Sequence, residues 1–357
     1  MLGKHRRLAV LAEGCFTSTD AKTAVGVIRH RPDEVVAVID STRAGRLAQD
    51  CVGVGGAIPI VASLEDAAHF EPDSLLIGIA PQGGAMPESW RRVVAEALLR
   101  GWDVLAGLHV FLSDDPELAT LAASKGCAIL DVRRPPDRRP VAARRASTLE
   151  ALVAVTVGSD CNVGKMTAAL AVHDELVKKG ARVAFVATGQ TGILIADHGV
   201  AVDAVPADFV AGVVEELVME AARDADIVIV EGQGSIHHPA YSGVTLSILH
   251  GACPDALLLC HEAGRTHLRV GDAAPAPRIR SLSDLVRDNE RAAGWVQPAR
   301  VLGLALNTMA LDATESKRAM EHAAQLTGLP VCDPVRGSAE PLATSLLRRV
   351  EERRRAS

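Results

Sequence analysis

The sequence predicts an α/β protein with two domains, each built on a parallel sheet. Short runs of β-branched and aliphatic residues alternate with helical segments along most of the 357 residues, which is the pattern of strand–helix–strand units. A stretch rich in proline and arginine interrupts the alternation before the middle of the chain. A chain of this length can bury two hydrophobic cores.

Residues 1–135 predict one Rossmann-like domain. Strands are expected in RLAVLA, EVVAVID, SLLIGIA, WDVLAG and CAILDV, and PESWRRVVAEALLRG predicts a helix between two of them. Asp40 ends the second strand, where a Rossmann fold binds a ribose, but no G-x-G-x-x-G motif precedes it, so the dinucleotide signature is incomplete. Other residues that could line a ligand cleft here are Lys22, Gly83 and Gly84.

Residues 136–148 are interpreted as a Pro/Arg-rich linker between the domains. They lie in RRPPDRRPVAARRAS, whose prolines disfavour the interior of a helix or a sheet. The simplest expectation is an exposed connection. The arginines leave a second role open, in which the segment folds back over a phosphate.

Residues 149–357 restart the alternation and predict the second domain. Strands are expected in ALVAVTVG, RVAFVATG, DIVIVEG, ALLLCH, VLGLALN and LPVCDPVR. The segment GDAAPAPRIRS predicts a surface loop that leads into a helix capped at Ser281.

Composition excludes several classes of function. The formal net charge of −6 and an aromatic content of 3% disfavour nucleic acid and anionic membranes as partners. The seven cysteines contain no CxxC pair, which disfavours a zinc site and fits a reducing compartment. No uninterrupted apolar run is long enough to cross a membrane. We therefore expect a soluble, cytoplasmic protein that acts on a small molecule.

The segment GSDCNVGKMT is the strongest chemical signal. It lies between a predicted strand and a predicted helix, the context that a phosphate-binding loop requires. Its glycines permit a tight turn and a close backbone approach to phosphate, and Lys165 would reach a terminal phosphate. The second domain is therefore expected to be a P-loop NTPase-like parallel sheet. The predicted cofactor-binding residues of the loop are Gly158, Ser159, Asp160, Cys161, Asn162, Val163, Gly164, Lys165, Met166 and Thr167.

Two features of this loop are irregular. Five residues separate its glycines, and Met166 stands where a magnesium-binding hydroxyl usually follows the lysine. Either Thr167 binds the metal with a shifted geometry, or metal binding is weakened. The alternative interpretation of the whole segment is a strand–helix turn with a chance Gly-Lys pair.

Two further polar turns follow predicted strands. DADIVIVEGQGS places Glu231 at the carboxyl end of a strand, where ligands bind in open α/β sheets and where a carboxylate can hold Mg²⁺ or act on substrate. A structural acid is the alternative. ATGQTG supplies Thr188, Gln190 and Thr191 as candidate contacts for phosphate, metal-bound water or a substrate carboxylate, unless it is a polar turn without a ligand.

These three segments resemble the dethiobiotin synthetase branch of P-loop enzymes. The branch has a long Gly-x₅-Gly-Lys loop, a Thr-Gly turn and a strand that ends in Glu-Gly. The resemblance implies that Asn307, after VLGLALN, contacts the base, and that the protein forms homo-oligomers, a dimer by analogy. VATGQTG lacks the lysine that usually precedes the Thr-Gly turn, which is a departure from the ligase pattern.

Motifs along nearly the whole chain are also similar to a bacterial family long catalogued as a domain of unknown function. They are AEGCFTSTDAKTAVGVIR, GLHVFLSDDPELA, GSDCNVGKMT, ATGQTGI, EGQGSIHHPAYSGVTL and NTMALD. That family joins a Rossmann-like domain to a P-loop domain, and at least one member is a D-glutamate N-acetyltransferase. The resemblance implies transfer of acetyl from acetyl-CoA to an acidic amino acid, D-glutamate. The alternatives are an ATP- and Mg²⁺-dependent carboxylate–amine ligase or carboxylase, and a non-catalytic nucleotide-sensing regulator.

Acyl transfer to an amine requires a neutral amine, so a general base is expected near the acceptor. We favour His238, in the loop that follows Glu231, and expect catalysis from Glu231, His238 and Lys165. The other candidates for the base are His237, Tyr241 and His261.

The acceptor's own contacts are predicted from charge. Arg265 is the expected partner of the substrate carboxylates, since a guanidinium binds them in bidentate fashion. Asp208, or Asp203 nearby, could bind the substrate amine. A helix N-cap suits Asp208 equally well.

Overall fold

The computed structural model describes residues 4–18, 20–79, 86–271 and 275–356. The chain divides into two compact units, each with a six-stranded parallel sheet. The predicted α/β class, with a Rossmann-like and a P-loop-like domain, is confirmed. Gly83 and Gly84 lie outside the described residues. Within the described ranges, no helix combines the length and apolar character that a membrane span needs.

The sheet of the first unit has the strand order β3-β2-β1-β4-β5-β6. Its strands are β1 (Leu8–Leu11), β2 (Val35–Ile39), β3 (Ile60–Val61), β4 (Ser74–Ile77), β5 (Asp103–Ala106) and β6 (Ile129–Asp131). Its first five α-helices are α1 (Lys22–His30), α2 (Ala48–Val52), α3 (Leu64–Ala68), α4 (Glu88–Leu99) and α5 (Pro116–Lys125). All four residues of β1 are buried, as expected for an interior strand covered on both faces.

The sheet of the second unit has the order β12-β11-β10-β7-β9-β8. Its strands are β7 (Leu152–Gly158), β8 (Val183–Val186), β9 (Ile227–Val230), β10 (Ala256–Glu262), β11 (Arg300–Asn307) and β12 (Val331–Cys332). The remaining α-helices of the chain are α6 (Lys165–Lys178), α7 (Gln190–Ala196), α8 (Ala207–Ala221), α9 (Ser242–Ala252), α10 (Leu282–Gly294), α11 (Ala313–Thr327) and α12 (Glu340–Ala356). The predicted cap of α10 is present, since the Ser281 side chain accepts the Asp284 N–H.

Short 3-10 helices complete the regular structure. They span Pro32–Glu34, Ser41–Arg43, Leu112–Asp114, Arg145–Thr148 and Val202–Ala204. Each predicted strand has a counterpart in the sheets, whereas the two-residue edge strand β3 was not predicted.

The segment Gly189–Ala204, with helix α7, belongs to the first unit although it lies in the second half of the chain. Arg31 holds it there, since Nη1 donates to the carboxylate of Asp197 at 2.6 Å and to the carbonyl oxygen of Leu194 at 2.8 Å. The division of the chain therefore differs here from a simple split after residue 135.

The Pro/Arg-rich linker is anchored to α8. The carboxylate of Glu215 is completely buried and accepts the N–H groups of Ala143 at 3.1 Å and Arg145 at 2.6 Å. The guanidinium of Arg145 adds a hydrogen bond at 2.8 Å. The linker exposes many side chains, but it is a bound part of the second unit.

Asp40 has a structural role in the first unit. Its buried carboxylate accepts N–H groups from Gly14, Phe16 and Thr42. Burial alone would raise the pKa of Asp40, but the hydrogen bonds from Thr42 and its neighbours outweigh burial and lower the pKa. Because these loop donors occupy the carboxylate, the predicted ribose contact finds no support.

Candidate active site

The predicted phosphate-binding loop connects the interior strand β7 to helix α6, at the carboxyl edge of the sheet. Asn162 and Gly164 have φ angles of 57° and 102°, left-handed conformations that turn the chain sharply into the helix. A Cβ atom at Gly158 would lie 2.9 Å from the Lys165 Nζ. A side chain at position 158 would therefore crowd the lysine in its place over the loop.

Lys165 is a buried cation at the start of α6. The residue is 7% exposed, and its Nζ donates to the carbonyl oxygen of Asp160 at 2.8 Å. Burial lowers the pKa of this ammonium, against the opposing effect of nearby groups such as Cys161 and Glu231. A phosphate in the loop would favour the charged form.

Arg265 braces the loop from outside. Its Nη1 donates to the buried carboxylate of Asp160 at 3.0 Å and to the carbonyl oxygen of Cys161 at 2.7 Å. Its Nη2 is bonded to Glu262. Both terminal nitrogens are therefore occupied, and a loop-bracing role fits these contacts better than the predicted bidentate contact with substrate.

Glu231 and Thr188 join the turns that follow β9 and β8. The Glu231 carboxylate accepts the Thr188 N–H at 3.1 Å, and the Thr188 hydroxyl donates to the Glu231 carbonyl oxygen at 2.6 Å. Gln233 donates to the same hydroxyl at 3.1 Å. The two turns that were predicted separately thus form one hydrogen-bonded unit, and Glu231, at 4% exposure, is a buried carboxylate.

Gly232 brings this unit against β7. Its N–H donates to the Thr156 hydroxyl at 2.9 Å, and a Cβ at this position would lie 1.6 Å from the Thr156 carbonyl oxygen. Further along the turn, the buried Ser235 hydroxyl donates to the Ser159 carbonyl oxygen at 3.3 Å. Any larger residue at position 232 would push the turn away from the phosphate-binding loop.

The residues of the loop do not form the usual magnesium ligand set. Mg²⁺ prefers oxygen ligands, whereas Met166 offers a soft thioether. Thr167 lies one residue further along α6, which rotates it by about 100° from the position of Met166. Glu231 supplies a carboxylate, but one of its oxygens already accepts the Thr188 N–H.

Asp160, Cys161 and His238 also place side-chain ligand atoms within 4.8 Å of one another. The Asp160 carboxylate is paired with Arg265 and also accepts the Arg269 N–H at 2.8 Å. A cation would have to displace these contacts and would face the guanidinium. This cluster is therefore a part of the loop's brace.

His238, the favoured general base, is held by backbone groups on both ring nitrogens. Its Nδ1 accepts the Ala240 N–H at 3.2 Å, so its Nε2 carries the proton and donates to the Arg269 carbonyl oxygen at 2.9 Å. The ring is 3% exposed and packs on Tyr241 with centroids 4.6 Å apart. Both ring nitrogens thus have backbone partners, and these contacts favour a structural role for His238 over the predicted role as the base.

His237 has one ring nitrogen paired with a carboxylate and the other without a partner among the described residues. Its Nε2 lies 3.0 Å from an oxygen of Asp288, so the carboxylate holds the proton on that nitrogen. Its Nδ1 is buried and has no hydrogen-bond partner among the described residues. The unprotonated nitrogen therefore keeps a lone pair that no described residue occupies.

His261 stands at the end of β10 beside the loop. Its Nδ1 lies 2.8 Å from the Ser159 hydroxyl. Burial, helped by the positive charge of Arg265, lowers the pKa of His261 to about 4. The imidazole is neutral at physiological pH and ties Ser159 of the loop to β10.

The remaining predicted residues are more scattered. Asn307 ends β11, and its side chain accepts the Met309 N–H at 3.1 Å. Asp208 is exposed in the first turn of α8, whose N-cap is Pro206. Their ligand contacts stay predictions.

Gln190, Thr191 and Asp203 belong to the first unit. The Gln190 side chain covers Gly107, where an added Cβ would lie 1.6 Å from its Oε1. Thr191 lies 3.2 Å from the Thr23 hydroxyl, and Asp203 pairs with Arg133. Their binding roles stay predictions.

Comparison with known proteins identifies the family. Residues 140–343 match the model described as "Domain of unknown function (DUF1611_C) P-loop domain". Residues 41–135 match "Domain of unknown function (DUF1611_N) Rossmann-like domain". The chain belongs to the DUF1611 family.

Relatives in this family align along most of the chain. A protein from Tritonibacter scottomollicae named D-glutamate N-acetyltransferase is 37% identical over 330 residues, which are 91% of this chain and 94% of the relative. A protein of the same name from Pseudoalteromonas sp is 35% identical over 80% of this chain and 84% of its own length. The crystal structure of a DUF1611 family protein from Anabaena variabilis has a TM-score of 0.91 and 39% identity, covering 96% of this chain and 99% of that one.

Some residues of this DUF1611 site were not singled out from the sequence. Asp288 lies in the middle of α10, and its pairing with His237 spans 51 positions. Gln233 is part of the EGQGS motif, but its bond to Thr188 is also long-range. A motif in the sequence marked Gln233, whereas no local pattern distinguished Asp288.

Proposed function

We propose that this protein is an N-acetyltransferase that transfers the acetyl group of acetyl-CoA to the amine of an acidic amino acid, D-glutamate. The observation that carries the proposal is the 37% identity, across 91% of the chain, with a protein named D-glutamate N-acetyltransferase. The alignment covers so much of the chain that it includes the phosphate-binding loop and the Glu231 turn. The geometry of both segments suits this chemistry.

The phosphate-binding loop supports acetyl-CoA as the donor. Coenzyme A carries a pyrophosphate and a 3′-phosphate, and the N–H groups at the start of α6, together with Lys165, form an anion site. Acetyl transfer leaves these phosphates intact, so no hydroxyl is needed to hold magnesium after the lysine. Met166 at that position is compatible with a donor whose phosphates are bound and not cleaved.

His237 is assigned the deprotonation of the acceptor. The substrate ammonium gives one proton to Nδ1 of His237, and Asp288 stabilises the imidazolium through Nε2. The amine lone pair then attacks the thioester carbonyl carbon, a C–N bond forms and the C–S bond breaks. The second amine proton ends on the departing sulfur as the CoA thiol, and His237 returns its proton to solvent.

The direct test is product formation by the purified protein. With acetyl-CoA and D-glutamate we expect stoichiometric release of CoA thiol and N-acetyl-D-glutamate, identified by mass spectrometry. L-glutamate and D-glutamine serve as acceptor controls. Product that forms only with ATP and Mg²⁺, with ADP released, would establish the ligase alternative and overturn the proposal.

Lys165→Ala tests the role of the loop. Loss of the cation should raise the KM for acetyl-CoA at least about tenfold, because a charge-assisted contact with phosphate is removed. Lys178→Ala is the matched control, since Lys178 is an exposed lysine of the same helix. Undiminished acetyl transfer at low acetyl-CoA in the Lys165 variant would exclude the loop as the donor site.

A further inference from the structure

A cleft of about 400 Å³ opens in the second unit beside the phosphate-binding loop. This volume is within the range of about 300–1,000 Å³ that is common for small-molecule sites. Its walls include three arginines and several neutral polar groups, namely Arg265, Arg278, Arg280, His261, Thr266 and Ser281. None of the arginines other than Arg265 was predicted to have a function.

The position of the cleft links it to the site described above. It lies at the carboxyl end of β10, the edge where open α/β sheets bind their ligands. His261 joins it to the loop through Ser159 at 2.8 Å. Arg265 joins it to the loop through Asp160 at 3.0 Å. A molecule in the cleft would therefore lie next to whatever the loop binds.

The charge of the cleft favours an anion. Arg265 is paired with two carboxylates, Asp160 and Glu262, so it offers no unpaired positive charge to a ligand. The side chain of Arg280 is 57% exposed, and its Nη1 lies 3.3 Å from Oδ2 of Asp288, which also pairs with His237. Arg278 is exposed and forms no ion pair with a described residue. Two guanidinium groups in one small cleft are thus left with a single carboxylate between them.

Asp288 connects the cleft to His237. The same oxygen, Oδ2, lies 3.0 Å from His237 Nε2 and 3.3 Å from Arg280 Nη1. One carboxylate therefore orients both a candidate base and a candidate carboxylate-binding group. An amino acid needs these two functions close together, since its amine and its carboxylates belong to one small molecule.

We propose that this cleft binds the acyl acceptor, a dicarboxylate amino acid, with Arg278 and Arg280 as the partners of its carboxylates. The proposal deepens the acetyltransferase function and rests on it for the identity of the reaction. It also assigns carboxylate recognition to two arginines that line the cleft instead of Arg265, whose terminal nitrogens are occupied by the loop and by Glu262.

The test compares Arg278→Gln with Arg291→Gln, a matched control because Arg291 is an exposed arginine on α10 away from the cleft. In steady-state assays Arg278→Gln should raise the KM for D-glutamate about 10- to 100-fold, with the KM for acetyl-CoA within twofold of wild type. Arg291→Gln should leave both values unchanged. Arg280→Gln should raise the KM for D-glutamate and also lower kcat, because Asp288 loses a partner.

Binding of glutarate separates this proposal from the proposed function. Isothermal titration needs no turnover, and glutarate should bind to the wild type and at least tenfold more weakly to Arg278→Gln. Glutarate binding that depends on Arg278, in a protein that never transfers acetyl, would overturn the function and support the cleft. Turnover with an unchanged KM for D-glutamate in Arg278→Gln would overturn the cleft alone, as would absence of glutarate binding to the wild type.

Discussion

His237 and His238 are consecutive in the chain, but the nitrogens of their imidazoles have different hydrogen-bond partners. Two backbone groups occupy the nitrogens of His238, which fixes the ring as part of the turn. His237 is bound on one nitrogen only, by a carboxylate. A carboxylate partner fixes which nitrogen carries the proton, whereas backbone partners on both nitrogens fix the orientation of the ring.

The residue-scale prediction for catalysis follows from this contrast. His237→Gln should lower kcat for acetyl transfer by about 10²- to 10⁴-fold, the usual contribution of a general base, and leave the KM for acetyl-CoA nearly unchanged. Steady-state kinetics with D-glutamate measure both values. At high pH, where the free amine is abundant, the deficit should shrink.

His238→Gln is the paired control. It should reduce stability through loss of the backbone hydrogen bonds but retain kcat within about tenfold per folded molecule. A variant at position 238 that folds and has lost base catalysis, beside an active variant at position 237, would reverse the assignment.

His261 gives a pH prediction for stability. Its pKa of about 4 in the folded protein is below the value of 6.5 expected when unfolded, so between these pH values the unfolded chain binds more protons. Stability should be complete above about pH 6.5 and fall as the pH drops towards 4. His261→Asn keeps a polar partner for Ser159 and removes the titration.

The free energy of unfolding in urea, measured at pH 7 and pH 5, tests this effect. The wild type should lose on the order of 1–2 kcal/mol more than the variant over this interval. Identical losses in both proteins would show that His261 titrates normally.

At the scale of elements, the segment 136–148 is held by a single buried carboxylate on α8. Glu215→Gln keeps the shape of the side chain but removes the charge that accepts the Ala143 and Arg145 N–H groups. We expect a loss of about 2–3 kcal/mol in the free energy of unfolding, because hydrogen bonds to a charged acceptor are weakened and its new amide faces donors.

Glu216→Gln is the control for this change. Glu216 pairs with Arg138, which is 79% exposed, and exposed ion pairs contribute less than about 1 kcal/mol. Urea unfolding of the two variants should therefore differ by about 2 kcal/mol. Equal stability of the two variants would mean that the segment is not anchored through Glu215.

The helices and strands were largely predictable because each has a periodic pattern of apolar residues within its own stretch of sequence. The edge strand β3 has two residues, too few for such a period. The allocation of Gly189–Ala204 to the first unit depends on Arg31 and Asp197, which are 166 positions apart. No local pattern reports contacts at that separation.

The same limit applies to the candidate site. The loop and the Glu231 turn were found because glycine and lysine spacing reflects local backbone demands. The sequence could not compare His237 with His238 as the base, because their partners Asp288 and Arg269 lie more than 30 positions away. For the same reason, the segment that contains Arg278 and Arg280 was predicted only as a surface loop and not as part of a ligand site.

At the scale of the whole molecule, the chain carries two parallel sheets, and the described chemistry is concentrated in the second unit. The phosphate-binding loop, the Glu231 turn and the proposed acceptor cleft all lie at the carboxyl edge of its sheet. These segments follow the strands β7, β9 and β10, which are adjacent in the sheet order. Strand order, and not the order along the chain, therefore assembles this site.

A ligand that binds only the folded protein raises its melting temperature, so thermal unfolding reports which donor the molecule takes. At about 100 times its Kd, acetyl-CoA should add about 2.7 kcal/mol of stability and raise Tm by several degrees. CoA should act similarly and Mg²⁺ should add nothing, because Met166 replaces the magnesium hydroxyl. Lys165→Ala should lose the CoA shift, whereas Lys178→Ala should keep it. Stabilisation by ATP with Mg²⁺ and none by acetyl-CoA would reject the acetyltransferase, since the loop would then serve a nucleotide whose phosphates are cleaved.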